Sequence, residues 1–249
     1  TKTAPCDFYK KNFISLTNKT EYSLNKLTDF LINTGYKRVQ TVRELGEFSL
    51  RGSILDVFPI GYSKAFRIDF FGETIETIKV MDPLTQRSST HVENINIYSS
   101  NEYLLSEENI ENFRKKFRSL DGNQSIKNSI YEKVSSGIKF NGIEHFLPLL
   151  HKDPLGSIFD FLPKNQEITF LLTKNFFKLI DERELEIKHF SEEREIENSE
   201  YNLITIEDLY LTTKNVKDHL KSYKTINLNE FDKNKNKDNY DINLYSKPL

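Results

Sequence analysis

The sequence predicts an α/β fold of the α+β kind: a mostly antiparallel sheet with one helix packed on it, followed by a mixed α/β part. Three observations carry this. Between residues 47 and 80, apolar and polar residues alternate in short runs rich in β-branched and aromatic types, the pattern of half-buried strands. Turn residues separate those runs by a few positions only, whereas a parallel crossover needs about a dozen residues or more. Leu24, Leu27, Phe30 and Leu31 recur at helical spacing within Ser23–Thr34, and Gly35 follows as a stop.

Taken in order, residues 1–20 read as a connecting segment. The Ser23–Thr34 helix leads into strand-like runs at Val39–Val42, Glu47–Leu50, Ile54–Phe58, Ala65–Phe71 and Thr74–Val80, punctuated by Gly46, Gly52, Gly61, Gly72 and Asp82-Pro83. Ile54–Phe58 is apolar but for Asp56, so it reads as a central strand whose Asp56 must find a polar partner. Glu107–Ser119 is expected to be helical, with Ile110, Phe113 and Phe117 on one face, and Asp121-Gly122-Asn123 marks a turn. Further on, Ile168–Thr173 reads as a buried strand, Phe176–Glu197 as a long charged helix and Ile206–Tyr223 as another. Asp232–Leu249, dominated by Asp, Lys and Asn, lacks the apolar content to fold alone. The expected organisation is residues 1–110, 111–230 and a polar tail over 231–249.

Composition narrows the function. The chain has 249 residues, and its 19 Phe and 12 Tyr can fill a core. The net charge is −2 with both signs spread along the chain, unlike a dedicated nucleic-acid binder. A single cysteine, Cys6, makes an internal disulfide impossible, which suits the cytoplasm. No apolar run reaches membrane-spanning length. The first residue is Thr1 and not Met, which suggests a piece of a longer chain.

Common catalytic signatures are missing. A phosphate-cradling loop needs a Gly-Lys step, and no Gly in this chain precedes Lys. The five histidines form no pair spaced for zinc around a Glu, so no metal site is expected. Glu144-His145 lies in an aromatic segment and reads as a structural hydrogen bond. No Gly-x-Ser-x-Gly elbow occurs. Carboxylates such as Asp69, Glu73 and Glu76 are too plentiful to single out a catalytic pair. No catalytic residue and no cofactor are expected in this chain.

The informative stretch runs from Gly35 to Ser88. Alternation puts Phe48 and Leu50 on one face and Ser49 and Arg51 on the other; Ile68 and Phe70 share a face opposite Arg67 and Asp69. In register, Arg51, Arg67 and Asp69 can gather on one solvent-facing side with Arg38 close by. Such a group suits two-point pairing with carboxylates or phosphates. The plainer reading is an ordinary charged sheet exterior.

This stretch resembles the UvrA-interaction domain shared by UvrB and the transcription-repair coupling factors, with the fuller match to the latter. Asp82-Pro83-Leu84-Thr85-Gln86-Arg87-Ser88 is similar to their Asp-Pro-x-Thr-Gln-Arg-Ser signature. Val134-Ser135-Ser136-Gly137, Gly142–Leu149 and Phe159-Asp160-Phe161-Leu162-Pro163 follow in the family's order. The resemblance implies a UvrA-binding domain and part of a UvrB-like α/β domain. It implies that Arg38, Arg51, Arg67 and Asp69 bind UvrA, and that Gly46, Gly52 and Gly72 serve as turn positions. Ser49 departs from the pattern, since UvrB carries Arg there. The parent protein so implied is an ATP-dependent DNA translocase. It uses ATP and Mg, acts on double-stranded DNA and RNA polymerase through other domains, and recruits excision repair. The alternative is that this chain is part of a translocase or helicase, or a UvrB-type DNA-binding module acting directly on damaged DNA.

Overall fold

A computed structural model describes residues 1–121, 129–196 and 203–228. The turn expected at Gly122-Asn123 and the tail after residue 230 lie outside them. The chain divides into two compact units: Thr1–Pro163 with Lys188–Leu211, and Lys164–Ile187 with Thr212–Leu249.

In the first unit, helix α1 (Cys6–Lys11) and strand β1 (Phe13–Thr17) precede helix α2 (Leu24–Asn33). There follow β2 (Lys37–Arg38), β3 (Glu47–Arg51), β4 (Ile54–Val57), β5 (Ala65–Phe71), β6 (Thr74–Met81), β7 (Ser88–Val92) and β8 (Asn94–Tyr98). Strands β2 to β7 form one six-stranded sheet in sequence order. Every pairing in it is antiparallel except the two-residue β2–β3 contact. Strands β1 and β8 pair separately, Phe13 opposite Tyr98 and Thr17 opposite Asn94. The expected mostly antiparallel sheet is therefore present.

Two-residue turns set the register. Gly52-Ser53 joins β3 to β4 and Gly72-Glu73 joins β5 to β6, so Arg51 opposes Ile54 and Phe71 opposes Thr74. In both turns the first residue is glycine with φ of 61°, the placement that type II′ hairpins need. The sheet's apolar face carries Phe48, Leu55, Val57, Phe66, Ile68, Phe70, Ile75 and Ile78. Leu27 and Leu31 of α2, Leu16 of β1 and Ile95 and Ile97 of β8 complete the same core. Helix α2 ends in a Schellman-type cap: Tyr36 N donates to Leu31 O at 2.8 Å and Gly35 N to Ile32 O at 3.2 Å. Tyr36 and Leu31 both enter the core. The Tyr36 hydroxyl donates to Tyr98 O at 2.9 Å, and burial pushes its pKa up to about 12.

A second core in this unit gathers Phe113 and Phe117 of α3 (Glu107–Asp121) with Ile130 and Val134 of α4 (Ser129–Ser135). Ile143, Phe146, Leu147, Leu149 and Leu150 join it from a 3-10 turn (Ile143–Phe146) and α5 (Leu147–Leu150). Ile204 and Leu209, the latter from α7 (Ile206–Leu209), close it. His151 is buried beside it: its Nε2 meets Glu102 O at 2.7 Å, and its ring packs edge-on against Phe8. Burial lowers its pKa; the bond to the Glu102 carbonyl opposes this, and nearby Lys116 adds to it.

In the second unit, β9 (Thr169–Thr173) pairs in parallel with β10 (Lys224–Leu228). Helix α8 (Thr213–Leu220) and the first part of α6 (Phe176–Ile196) belong to it.

Several expectations are corrected. Residues 1–20 are not a connector but contain α1 and β1, because Phe8 and Leu16 have apolar places to fill. Val39–Val42 is not a strand: Val39 N still bonds Phe48 O at 2.9 Å, but beyond it Gln40 O accepts from Ser49 Oγ at 3.0 Å and Val42 O from Gln86 Nε2 at 2.9 Å, so side chains take over from a ladder. The strand at 169–173 exists, but only Leu172 within it is buried, and Leu171 is 42% exposed. Ile206–Tyr223 is two helices, each opened by its own capping box, Thr205 with Asp208 and Thr212 with Asn215.

Candidate interaction face

The sheet face opposite the core carries a row set by the register: Ser49 opposes Asp56, Asp56 opposes Arg67, and Arg67 opposes Lys79. Asp56 is 1% exposed. An isolated carboxylate buried this deeply costs several kcal/mol unless paired and hydrogen-bonded, and here two guanidinium groups hold it. Arg67 Nε donates to Oδ1 at 2.7 Å and Nη2 to Oδ2 at 2.9 Å, a two-point fork. Arg51 Nη2 closes on the same Oδ2. The bonds to Asp56 raise the pKa of Arg67 above its ordinary value.

The two arginines are not equivalent. Arg67 also sends Nη1 toward Gln86 O at 3.3 Å and Ser88 Oγ at 3.4 Å. Its side chain is 19% exposed, that of Arg51 51%. Arg67 thus ties β5 to β4 and to the turn after β6, while Arg51 keeps half its surface in solvent. Arg51, Arg67 and Asp69 thus share the outer face as alternation suggested, but Arg67 is drawn inward by the charge of Asp56.

Asp69 lies one step along the same face, opposite Ile54 and Thr77, and accepts from Thr77 Oγ1 at 3.3 Å. Arg38 does not join the group. It registers with Phe48, a residue of the apolar face, while Lys37 takes the place opposite Glu47. Arg38 stands exposed on the short edge strand β2. Ser49 is 2% exposed and bonded to Gln40 O, so its position is filled and not an open gap in the face. Gly46, Gly52 and Gly72 have φ of 79°, 61° and 61°.

The sequence reading missed Phe71. It alternates with Arg67 and Asp69 along β5 and is 79% exposed. The signal was present: Phe70-Phe71 ahead of Gly72 leaves one ring on each face, and only one face is core.

Below the face, the turn after β6 is stiff. Asp82 Oδ1 accepts from Leu84 N at 2.8 Å, which lowers the pKa of Asp82. Gln86 takes a φ of 59° and bonds Val42 O and Pro83 O through Nε2. At the start of β3, Glu47 accepts from Arg43 N at 2.8 Å and Glu44 N at 3.0 Å; these bonds, the one from Arg43 first, lower its pKa. Among the described residues, no cluster of three or more His, Cys, Asp or Glu is placed to hold a metal ion. No described helix is long and apolar enough to cross a membrane.

Residues 14–103, which span the six-stranded sheet, β1, α2 and β8, match the UvrB interaction domain family. The chain is 30% identical over 223 residues to the transcription-repair-coupling factor of Haemophilus influenzae, covering 89% of this chain and 19% of that protein. It is 36% identical over 161 residues to the protein of that name from Rickettsia conorii, covering 65% and 14%. With that of Escherichia coli it shares 32% over 164 residues, covering 66% and 14%. The chain therefore spans less than a fifth of the length of these relatives. Over residues 14–103 it is similar to the UvrB interaction domain family and, over most of its length, to a segment of the proteins called transcription-repair-coupling factors.

Proposed function

We propose that this chain is an adaptor that docks UvrA on the outer face of its six-stranded sheet. The observation that carries the reading is the half-exposed Arg51 guanidinium, held from below by buried Asp56, on a face that also offers Asp69 and the exposed ring of Phe71. Arginine and aromatic side chains of this kind dominate protein interfaces, the first through two-point pairing with carboxylates, the second through buried area. The family match over residues 14–103 supports the same reading. In the larger protein, docking would bring excision repair to stalled RNA polymerase, with ATP and Mg used by a DNA translocase outside this chain. The adaptor role itself calls for no catalytic group here.

The test is calorimetric titration of the purified chain with UvrA from the same organism. Arg51→Ala should weaken binding about tenfold, the effect of losing one desolvated interfacial arginine, with an unchanged circular dichroism spectrum. Unaltered affinity in a folded Arg51→Ala variant would place the interface elsewhere. Saturable micromolar binding of ATP with magnesium would point instead to nucleotide chemistry in this chain.

A further inference from the structure

Asp56 lies beneath the proposed docking face, buried, and no partner can reach it. We infer that Asp56, clasped by Arg67, is a positioning residue for UvrA docking: it fixes the Arg51 guanidinium on the face, and Arg67 acts through it without touching the partner. The inference rests on the docking reading above and adds a division of labour within it.

The geometry assigns the roles. Arg67 has Nε and Nη2 on Asp56 and Nη1 toward Gln86 O and Ser88 Oγ, so each of its guanidinium nitrogens already faces an acceptor inside this chain. Arg51 gives only Nη2 to Asp56 and is 51% exposed, so the rest of its fork remains for a partner carboxylate. Without Asp56 of β4, the two cations on the strands flanking it would repel, and Arg51 would regain the rotamer freedom of a long exposed side chain. Ordering such a side chain on binding costs conformational entropy. With Asp56 in place, that ordering is complete before the partner arrives. The fork of Arg67 in turn prevents Asp56 from rotating: Oδ1 is held by Nε, leaving Oδ2 aimed at Arg51.

The experiment is a double-mutant cycle on UvrA affinity, using Arg51→Ala in two backgrounds, the unaltered chain and Asp56→Asn. Asparagine keeps the shape and one acceptor oxygen and removes the charge. Arg51→Ala should weaken binding about tenfold in the unaltered chain and by less than about threefold in Asp56→Asn, because an unheld Arg51 has less to lose. A merely structural role for Asp56 would leave the two ratios equal. Where Asp56→Asn fails the dichroism check, Asp56→Leu with Arg67→Met replaces it. Removing both members of a buried pair together is often neutral for folding, and the same shrunken ratio is expected. NMR of the arginine side chains supplies a readout that needs no UvrA: hindered rotation of the Arg51 guanidinium, visible as resolved Nη protons, should vanish in either background. Equal ratios, full affinity in Asp56→Asn, or a freely rotating Arg51 in the unaltered chain would each overturn the inference. Absence of any UvrA binding by the unaltered chain would overturn the docking reading itself, and is distinguishable because no cycle could then be drawn.

Discussion

Arg67→Ala should destabilise the protein far more than Arg51→Ala, although both remove an arginine from the same carboxylate. Asp56 is 1% exposed, and Arg67 holds it at 2.7 and 2.9 Å from the partly buried side. Removing one partner of a buried pair costs about 3–5 kcal/mol because the other charge is left in a low dielectric. Arg51 still reaches Oδ2 after Arg67 is gone, so the lower end, about 3 kcal/mol, applies. Arg51→Ala leaves the two-point fork intact and removes a half-exposed partner, a loss of about 1 kcal/mol or less. Urea unfolding measures the difference, followed by far-ultraviolet dichroism and by the fluorescence of the 12 tyrosines in a chain without tryptophan. With a urea slope of about 2 kcal/mol per molar, the midpoints should fall by about 1.5 M and by at most about 0.5 M. Equal, small shifts for the two variants would refute the reasoning, and would mean that Asp56 draws its compensation from elsewhere.

Two further outcomes follow from other parts of the molecule. His151 is buried with a pKa lowered chiefly by that burial. The folded state therefore binds its proton less readily than the unfolded chain, whose histidine titrates near about 6.5. The associated stability is present above that pH and is lost as pH falls toward the folded value. His151→Gln should flatten the decline in urea midpoint between about pH 7.5 and 5.5; identical slopes in the two proteins would count against it. Gly35→Ala should lower the melting temperature more than Gly52→Ala. Both sites have positive φ, 96° and 61°, so both pay about 1–2 kcal/mol of left-handed strain. Only at Gly35 would the new Cβ meet a side chain, that of Asn101 at 2.3 Å, whereas Gly52 faces open space. Equal losses at the two sites would show that Asn101 simply swings aside.

The parts of the fold legible in the sequence are those whose signal is local. Strands β3 and β5 alternate in sequence, the β3–β4 and β5–β6 turns are announced by their glycines, and Gly35 marks the end of α2 as a cap must. Strand β1 was not legible. Its five residues, Phe13–Thr17, make too short a run to call, and its partner β8 lies far along the chain. The run at Val39–Val42 misled because β-branched residues say only that a segment can extend. Val42 is buried in a small cluster with Ala65 and Met81, not in a ladder. The two helices within 206–223 could have been separated from Thr-x-x-Asp and Thr-x-x-Asn, each a start signal. For the candidate face, the grouping of Arg51, Arg67 and Asp69 followed from alternation. That Asp56 would draw Arg67 inward needed the register between β4 and β5, which no single segment contains. Arg38 was misplaced for a related reason: its strand is two residues long and runs parallel to its neighbour, so alternation counted from β3 does not transfer to it.

The unequal burial of the two arginines has a genetic consequence. Most destabilising substitutions act in cells by lowering the amount of folded protein. Changes at Arg67 or Asp56 should therefore act first as abundance lesions, with the amount of protein restored by lower growth temperature and any loss of partner affinity remaining. Changes at Arg51, Asp69 or Phe71 leave the core untouched, and alleles there should separate accumulation of the protein from its partnership. A screen that scores both properties would sort the residues of one sheet face into two classes that look alike on a charge map.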